Sequence, residues 1–486
     1  MAVSAAARAQ YESVIGLEVH VQLFTQTKIF CSCSTHFGDP PNTNVCPVCL
    51  GMPGALPVLN RRAVTMAMKA ALALNCGINP SSRFARKNYF YPDLPKGYQI
   101  SQFDEPLAEH GWIDIEVDAV KKRIGITRVH MEEDAGKSLH EGFPDSDENS
   151  YIDLNRSGVP LIEIVSEPDL RTPEEAYEYL TRLKTILLYL DVSNCNMEEG
   201  SLRCDANVSV RPVGASELGV KAEVKNLNSF RFLQKALAYE TERQIGVVEG
   251  GGTIHQETRL WDSKEQRTYS MRSKEFAHDY RYFPEPDLLP LVITEEWKAE
   301  ARQALPELPQ VREDRFVSTH GLPRQDAVLL TALKSTADYF EAVVKAGADP
   351  KLAANWLLND YPFLLEETKA AFDDRPVSPA DFAKLLNLIG KKTLSGTMAK
   401  EVLREMIVSH KGPHAIVAEK GLQQINDTDR IAVLARQVMA GNAKQVEQYR
   451  SGKTATLGWF VGQVMKATRG QANPQMVQDV LKKELA

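Results

Sequence analysis

The stretch Val129-His130-Met131-Glu132-Glu133-Asp134-Ala135-Gly136-Lys137 places three consecutive acidic side chains shortly after a histidine and closes on a glycine-lysine pair. Adjacent carboxylates repel, so three in a row are comfortable only in water or beside a cation. Hard oxygen ligands of this kind suit Mg²⁺, which keeps some of its waters and shares its other positions with phosphates. Taken alone, the triplet reads more readily as a solvated turn. A second segment shifts the balance. From Tyr11 to Leu23 the chain alternates as a strand does, with Ile15, Leu17, Val19, Val21 and Leu23 pointing one way and Glu18, His20 and Gln22 the other. Glu18 and His20 then share a face, about 7 Å apart along the strand, and both can reach one metal ion. An edge strand with a polar outer face would look the same, but together with 130–134 the pattern outlines a carboxylate-rich Mg²⁺ site.

Cysteines carry a second chemistry. Cys31-Ser32-Cys33 is followed after twelve residues by Cys46-Pro47-Val48-Cys49. Two chelating pairs joined by a short loop rich in Gly, Pro and Asn match a four-thiolate zinc site, closed and therefore structural. Reduced pairs or a redox couple are the alternative. Cys76, Cys195 and Cys204 lie outside this pattern and read as small apolar residues.

The elements that must position these groups can be read in outline. Residues 123–129 alternate, with Ile124, Ile126 and Arg128 on one face, which puts the acidic cluster where a strand leaves a sheet. Residues 62–75 form a helix. In 83–102 basic and aromatic residues interleave with turn formers, the pattern of a surface that meets phosphates and stacks bases, or of a plugged loop. Residues 151–165 read as two strands around the turn Asn155-Arg156-Ser157-Gly158, from which Arg156 can reach a phosphate. Thr172 to Leu190 is a helix with Pro173 in its first turn. The strand after Met197-Glu198-Glu199-Gly200 sets Arg203, Asp205, Asn207 and Ser209 on one face, and Lys221, Glu223 and Lys225 repeat the theme. Strands presenting such faces suggest a lined cavity. Gly250-Gly251-Gly252 reads as a hairpin turn, and strands and turns continue through 268–272 and 278–287.

Beyond about residue 293 strand alternation ends and helices follow, at 326–346, 352–366, from Ser378 and Pro379 onward, 458–466 and from Pro474. The last section, 441–486, holds seven Lys/Arg against three acids, a local +4 in a chain of net charge −7. A basic helical tail behind an acidic body fits an arm for a polyanion such as tRNA, though a solvated helix surface would also account for it. With 486 residues, 43% hydrophobic and 25% charged, the chain is long enough for two to four ordinary domains. It has no apolar run near the roughly 20 residues of a membrane span and no signal peptide, and its seven cysteines do not form a secretory framework, so a cytoplasmic location is expected.

These motifs together resemble the B subunits of the bacterial tRNA-dependent amidotransferases. Those carrying the resemblance are Val14-Ile15-Gly16-Leu17-Glu18-Val19-His20, Arg86-Lys87-Asn88-Tyr89-Phe90-Tyr91-Pro92-Asp93, 130–137, Asn155-Arg156-Ser157-Gly158-Val159-Pro160-Leu161-Ile162-Glu163, Met197–Asp205 and Phe460-Val461-Gly462-Gln463-Val464-Met465-Lys466. The resemblance covers essentially the whole length. It implies an α+β fold: a mostly antiparallel, glutamine synthetase-like cradle over 1–293 with the zinc knuckle at 31–49, an all-α domain over 294–425, and a YqeY-like tRNA-binding tail over 426–486. It implies ATP-dependent phosphorylation of the side-chain carboxylate of Glu-tRNA(Gln) or Asp-tRNA(Asn), then amidation by ammonia from a glutaminase A subunit, with a small C subunit completing the complex. It implies Glu18, His20 and Glu133 as Mg²⁺ ligands with Glu132 close by, and Lys225 as a further catalytic group. It also implies Arg156, Glu223 and Asn226 as lining residues toward ATP, and Cys31, Cys33, Cys46 and Cys49 as zinc ligands. Two other readings stay open from the residues alone: a tRNA-presenting scaffold with a vestigial cavity, and a metal-dependent phosphohydrolase or nuclease acting alone.

Overall fold

The structure, a computed structural model, describes residues 3–140, 142–146, 148–271, 280–422, 428–468 and 471–485. A sheet of nine strands organises the first lobe. In chain order these are β1 (Tyr11–Gln22), β2 (Gly77–Ile78), β3 (Ala108–Val117), β4 (Val120–Glu133), β5 (Pro160–Ser166), β6 (Leu202–Pro212), β7 (Ala222–Lys225), β8 (Glu257–Asp262) and β9 (Arg267–Ser270). Their spatial order is β9-β8-β7-β6-β1-β5-β4-β3-β2. Neighbours run antiparallel throughout except β7 beside β8.

Alternation decides what each face does. Along β1, Leu17, Val19 and Val21 are buried, while Glu18, His20 and Gln22 stand on the other face. The apolar face packs on three helices: α1 (Arg61–Ala73), α2 (Pro173–Tyr189) and α3 (Phe230–Glu249). Each begins on a capping side chain that accepts backbone N–H groups left unpaired at a helix start: Asn60, Thr172 and Ser229. Pro173 occupies the first turn of α2, as its fixed φ favours. Full burial of Leu180, Leu183 and Leu187 on α2 contributes roughly 1.5–3 kcal/mol per side chain. Helices hold one side, so chemistry has the other.

Several expectations change in detail. Gly250-Gly251-Gly252 ends α3 rather than turning a hairpin, since an apolar helical stripe through Leu233, Ala236, Leu237 and Ile245 precedes it. Gly251 takes a left-handed φ of 74° there. The two strands flanking the 155–158 turn do not pair with each other: Tyr151–Asp153 pairs with Lys137–Leu139, while β5 joins the main sheet. Residues 83–102 form a hairpin of Ala85–Asn88 and Tyr98–Ser101, to which Phe283–Pro284 adds a third strand. Arg272, His278 and Asp279 lie outside the described residues.

The chain divides into two compact units, 1–308 and 309–486, rather than breaking at 293. Helix Glu295–Gln303 stays with the first because Trp297 donates to the Thr65 hydroxyl at 3.1 Å and lies against the Arg61 guanidinium at 4.3 Å. The second unit is helical and holds two separate cores, one from Phe316 to Val417 and one from Ile431 to Leu485. The expected division at 425 falls outside the described residues. The helix expected over 326–346 is two, Arg324–Thr331 and Lys334–Lys345, because Leu333 is extended. Within the stretch 352–366 a π turn, Trp356–Asp360, interrupts the α-helix.

Gly111 on β3 marks where helix α1 and the sheet close on each other: a Cβ there would lie 2.3 Å from the Cys76 sulfur and 2.5 Å from the Leu74 carbonyl oxygen. Gly111→Ala should lower stability by about 1–3 kcal/mol, read as an earlier urea midpoint for the first lobe; an unchanged midpoint would show that the α1 end yields freely.

Candidate active site

The polar face of the sheet assembles side chains from four strands into one rung. Antiparallel register sets Arg203 of β6 opposite His20 of β1, His20 opposite Glu163 of β5, and Glu163 opposite His130 of β4. The next rung pairs Glu18 with Asp205. His20 Nε2 lies 3.3 Å from Glu163, 3.6 Å from Glu18 and 3.9 Å from Glu132. His130 approaches Glu163 at 3.5 Å and Glu132 at 3.8 Å. Lys225 closes the far side, 2.7 Å from Asp205 and 3.0 Å from Glu223. Glu132 and Glu163 are buried and form the floor, while Glu18, Lys225 and Arg203 remain about a third exposed at the rim, with side-chain exposures of 30%, 38% and 35%.

Electrostatics explain how so many carboxylates coexist. Burial disfavours charge on His20, but its hydrogen bond to Glu163 and the negative fields of Glu163, Glu132 and Glu18 outweigh this and push its pKa up to about 9. Burial likewise opposes ionisation of Glu163, yet His130, His20 and Arg128 hold its carboxyl well below the usual range. Glu132 is lowered too, burial being outweighed by the two histidines. Glu18 goes the other way, raised by burial and by the Glu163 charge. Burial lowers the affinity of Lys225 for its proton, but Asp205 and Glu223 more than restore it, and it is held as a cation.

Two overlapping donor sets result, Glu18/His20/Asp205 and His20/Glu132/Glu163, each with its ligand atoms within 4.8 Å of one another. Oxygen donors predominate, which is the donor chemistry that Mg²⁺ requires.

Glu133 is not brought to this cluster. β4 continues through Glu133 before ending, so strand alternation turns it away from Glu132. Its carboxylate pairs with Lys96 and accepts the Ile100 N–H at 2.9 Å. It lines a separate cavity of about 190 Å³ with Lys28, Cys31, Cys49 and Lys96. The acidic triplet is no solvated turn: Glu132, Glu133 and Asp134 are all buried, each answered by different partners. Asp134 accepts from Gln22 at 2.7 Å and Arg203 at 3.0 Å, with Arg156 at 3.7 Å. Arg156 spends its guanidinium on the Ala135 and Gly136 carbonyls, at 2.9 and 2.6 Å, so it braces the Asp134 turn. Glu223 does line the Lys225 side and accepts from Thr258 at 2.9 Å. Asn226 is exposed, left-handed at φ 66°, and its amide is engaged with the Trp261 carbonyl.

Sequence reasoning passes over Glu163 as a site residue, and it gives Arg203, Asp205 and His130 no individual role beyond a polar strand face and the acidic segment. Glu163 had a signal: a lone carboxylate inside the apolar run Leu161-Ile162-Glu163-Ile164 needs a reason to be there.

The four cysteines converge, with all sulfurs within 4.8 Å of one another and Cys46 3.9 Å from Cys49. A tetrahedron with Zn–S bonds of about 2.3 Å has sulfurs about 3.8 Å apart, so the donor set fits a closed structural zinc site. A hydrogen bond from Cys31 overcomes burial, and with the Cys46 amide and the Lys28 charge it holds the Cys49 thiol down at about 4. Cys76, Cys195 and Cys204 are buried in the apolar core.

The sequence that builds this lobe matches a known catalytic domain. Residues 13–299 match the family described as GatB/GatE catalytic domain, and residues 338–485 match the GatB domain. In Thermoanaerobacter pseudethanolicus the B subunit of aspartyl/glutamyl-tRNA(Asn/Gln) amidotransferase is 57% identical over 98% of this chain and 100% of its own length. Its namesake in Carboxydothermus hydrogenoformans is 57% identical over 98% and 99%. The one in Thermodesulfovibrio yellowstonii is 54% identical over the same shares. The chain belongs to the GatB family.

Cys46→Ser should reduce bound zinc from about one equivalent to a small fraction and expose the 28–58 segment to proteolysis. Metal analysis beside limited proteolysis reads both, and undiminished zinc would exclude the four-thiolate site.

Proposed function

We propose that this chain is the kinase and amidating subunit of a cytoplasmic tRNA-dependent amidotransferase, working with a glutaminase subunit and a small third subunit. The observation that carries this reading is the polar sheet face, where Glu18, His20, Glu132, Glu163 and Asp205 converge beside Lys225. In the proposed reaction a carboxylate oxygen of the glutamyl or aspartyl group on tRNA attacks the γ-phosphorus of ATP. The bond from that phosphorus to the bridging oxygen breaks, and ADP leaves. Ammonia then attacks the acyl carbon, the carbon–oxygen bond to phosphate breaks, and an amide remains with inorganic phosphate, which takes up ammonia's third proton.

Such chemistry asks for positioning and charge compensation more than for a protein nucleophile. Glu18, His20 and Asp205, with Glu132 and Glu163 beneath them, would hold Mg²⁺, which when bound neutralises the charge of the phosphoryl oxygens. Lys225, kept protonated by Asp205 and Glu223, offers a fixed cation to the phosphates of ATP. Glu163 and Glu132 stand at the Nε2 edge of His20. Glu133, on the far side of β4, is left out of the ligand set that we propose. The helical tail, with Lys444, Arg450, Lys453, Lys466, Lys482 and Lys483, would carry the tRNA; Arg469, counted with them, lies outside the described residues.

In the assembled complex with ATP, glutamine and mischarged tRNA, Glu132→Gln and Glu18→Gln should each lower amidation by a hundredfold or more, on the order expected for losing a group that organises phosphoryl transfer. Glutamine hydrolysis by the partner should persist in part. Equal amidation by wild type and both variants would move the chemistry elsewhere, and amide release by no form would favour the scaffold reading. Removing 441–486 should weaken tRNA binding and flatten its dependence on salt; an unchanged slope would make the tail a spacer.

A further inference from the structure

We propose that Arg203 grips the side-chain carboxylate of the aminoacyl group on tRNA and holds it at the rim of the acidic sheet face, a role that rests on the amidation reading above. The need is electrostatic. A substrate carboxylate must approach Glu18, Glu132, Glu163 and Asp205, all of which repel it. A cation must therefore meet it there, and a planar guanidinium is the side chain that binds both carboxylate oxygens at once.

Arg203 is placed for this. Register sets it opposite His20, on the same face as Asp205 one step along β6. One edge of its guanidinium is anchored, Nη2 donating to Asp134 at 3.0 Å. The anchor is rigid: Asp134 is 3% exposed and is fixed by Gln22 at 2.7 Å, with Arg156 bracing the same turn. A guanidinium has five N–H donors, so an anchored Arg203 keeps enough for a bidentate grip. The side chain is 35% exposed, so a substrate group can approach it from solvent.

Other cations on this face are committed among the described residues. Lys225 is shared by Asp205 and Glu223, Arg128 lies against Glu163 and His130, and Arg156 is spent on main-chain carbonyls. Lys87 sits 5.0 Å from the Tyr280 ring and offers a point charge rather than a fork. Arg203 thus combines a fixed position, spare donors and planar geometry.

The grip serves both half-reactions. Each carboxylate oxygen has a second lone pair, so a gripped oxygen still attacks phosphorus. After phosphorylation the remaining acyl oxygen stays against Arg203, which then meets the negative charge it gains as ammonia adds.

The test uses the complete complex, with Arg203→Ala and Arg203→Lys beside wild type. Amidation by Arg203→Ala should fall on the order of a hundredfold or more in kcat/KM for mischarged tRNA, with KM for ATP and affinity for uncharged tRNA unchanged. Arg203→Lys should recover only part of the loss, and added guanidinium ion should raise the activity of Arg203→Ala severalfold. Full activity in both variants would overturn the assignment. So would a loss tracked by a rise in KM for ATP, which would make Arg203 a phosphate ligand. A loss that guanidinium does not relieve, with a lower melting temperature, would reduce Arg203 to a brace for Asp134. A wild-type complex that forms no amide would overturn the amidation reading itself, and this assignment with it.

Discussion

Packing several carboxylates against one face of a sheet is the constraint on which the rest of the structure turns. Two like charges 3.5 Å apart repel by about 5 kcal/mol at an effective dielectric near 20. Glu18, Glu132, Glu163 and Asp205 can therefore share one face only if cations stand among them. Arg128, Arg203 and Lys225 supply such charge, with His20 and His130 set between the carboxylates, all delivered by strands in register. A site built this way cannot sit on loops, because a small shift of any strand would leave a charge unanswered. The wide sheet and the helices pinning its reverse side supply that stiffness.

Much of this was legible in the sequence because it depends on period two. The separation of Glu18 and His20 from the apolar side of β1, the polar faces of β6 and β7, and the change to helix in the second unit all follow from alternation. Helix starts with a strong chemical cue were equally plain, as at Thr172-Pro173 and Ser378-Pro379. What alternation cannot supply is which strands become neighbours. Glu163 and Asp205 enter the cluster only because β5 and β6 flank β1, a fact of topology. It was the family resemblance that placed Glu133 with Glu18 and His20, whereas its strand turns it toward Lys96. Helix α3 escapes a reading by pattern because polar residues punctuate its apolar stripe and a glycine triplet behind it resembles a turn.

The four-cysteine loop, whose donor set fits structural zinc, has a place in this arrangement too. Its loop is tied to the 153–158 segment through Asn44 N–H to the Asn155 side chain at 2.8 Å, Lys28 to the Leu154 carbonyl at 3.4 Å and Ile29 N–H to the Gly158 carbonyl at 2.9 Å. That segment holds Asp134 in turn, since Gly158 N–H donates to the Asp134 carbonyl at 2.9 Å and Arg156 braces the residues after it. Gly158 sits at φ 84°, a conformation that glycine adopts at little cost. The four sulfurs thus set, through one turn, where a buried carboxylate and its arginine stand. A structural metal in such a position acts as a foundation.

Glu132 and Glu133 are neighbours in sequence with nothing else in common. One belongs to the histidine-lined face and the other to the cavity beside the cysteines, because a pleated strand is a partition with a door on neither side. A single inserted or deleted residue in β4 would exchange their rooms, delivering a carboxylate without its lysine to one and a histidine-paired acid to the other. The bonds that lock β4 against β5 therefore do more than hold a sheet together: they keep two chemically different compartments from trading their acids.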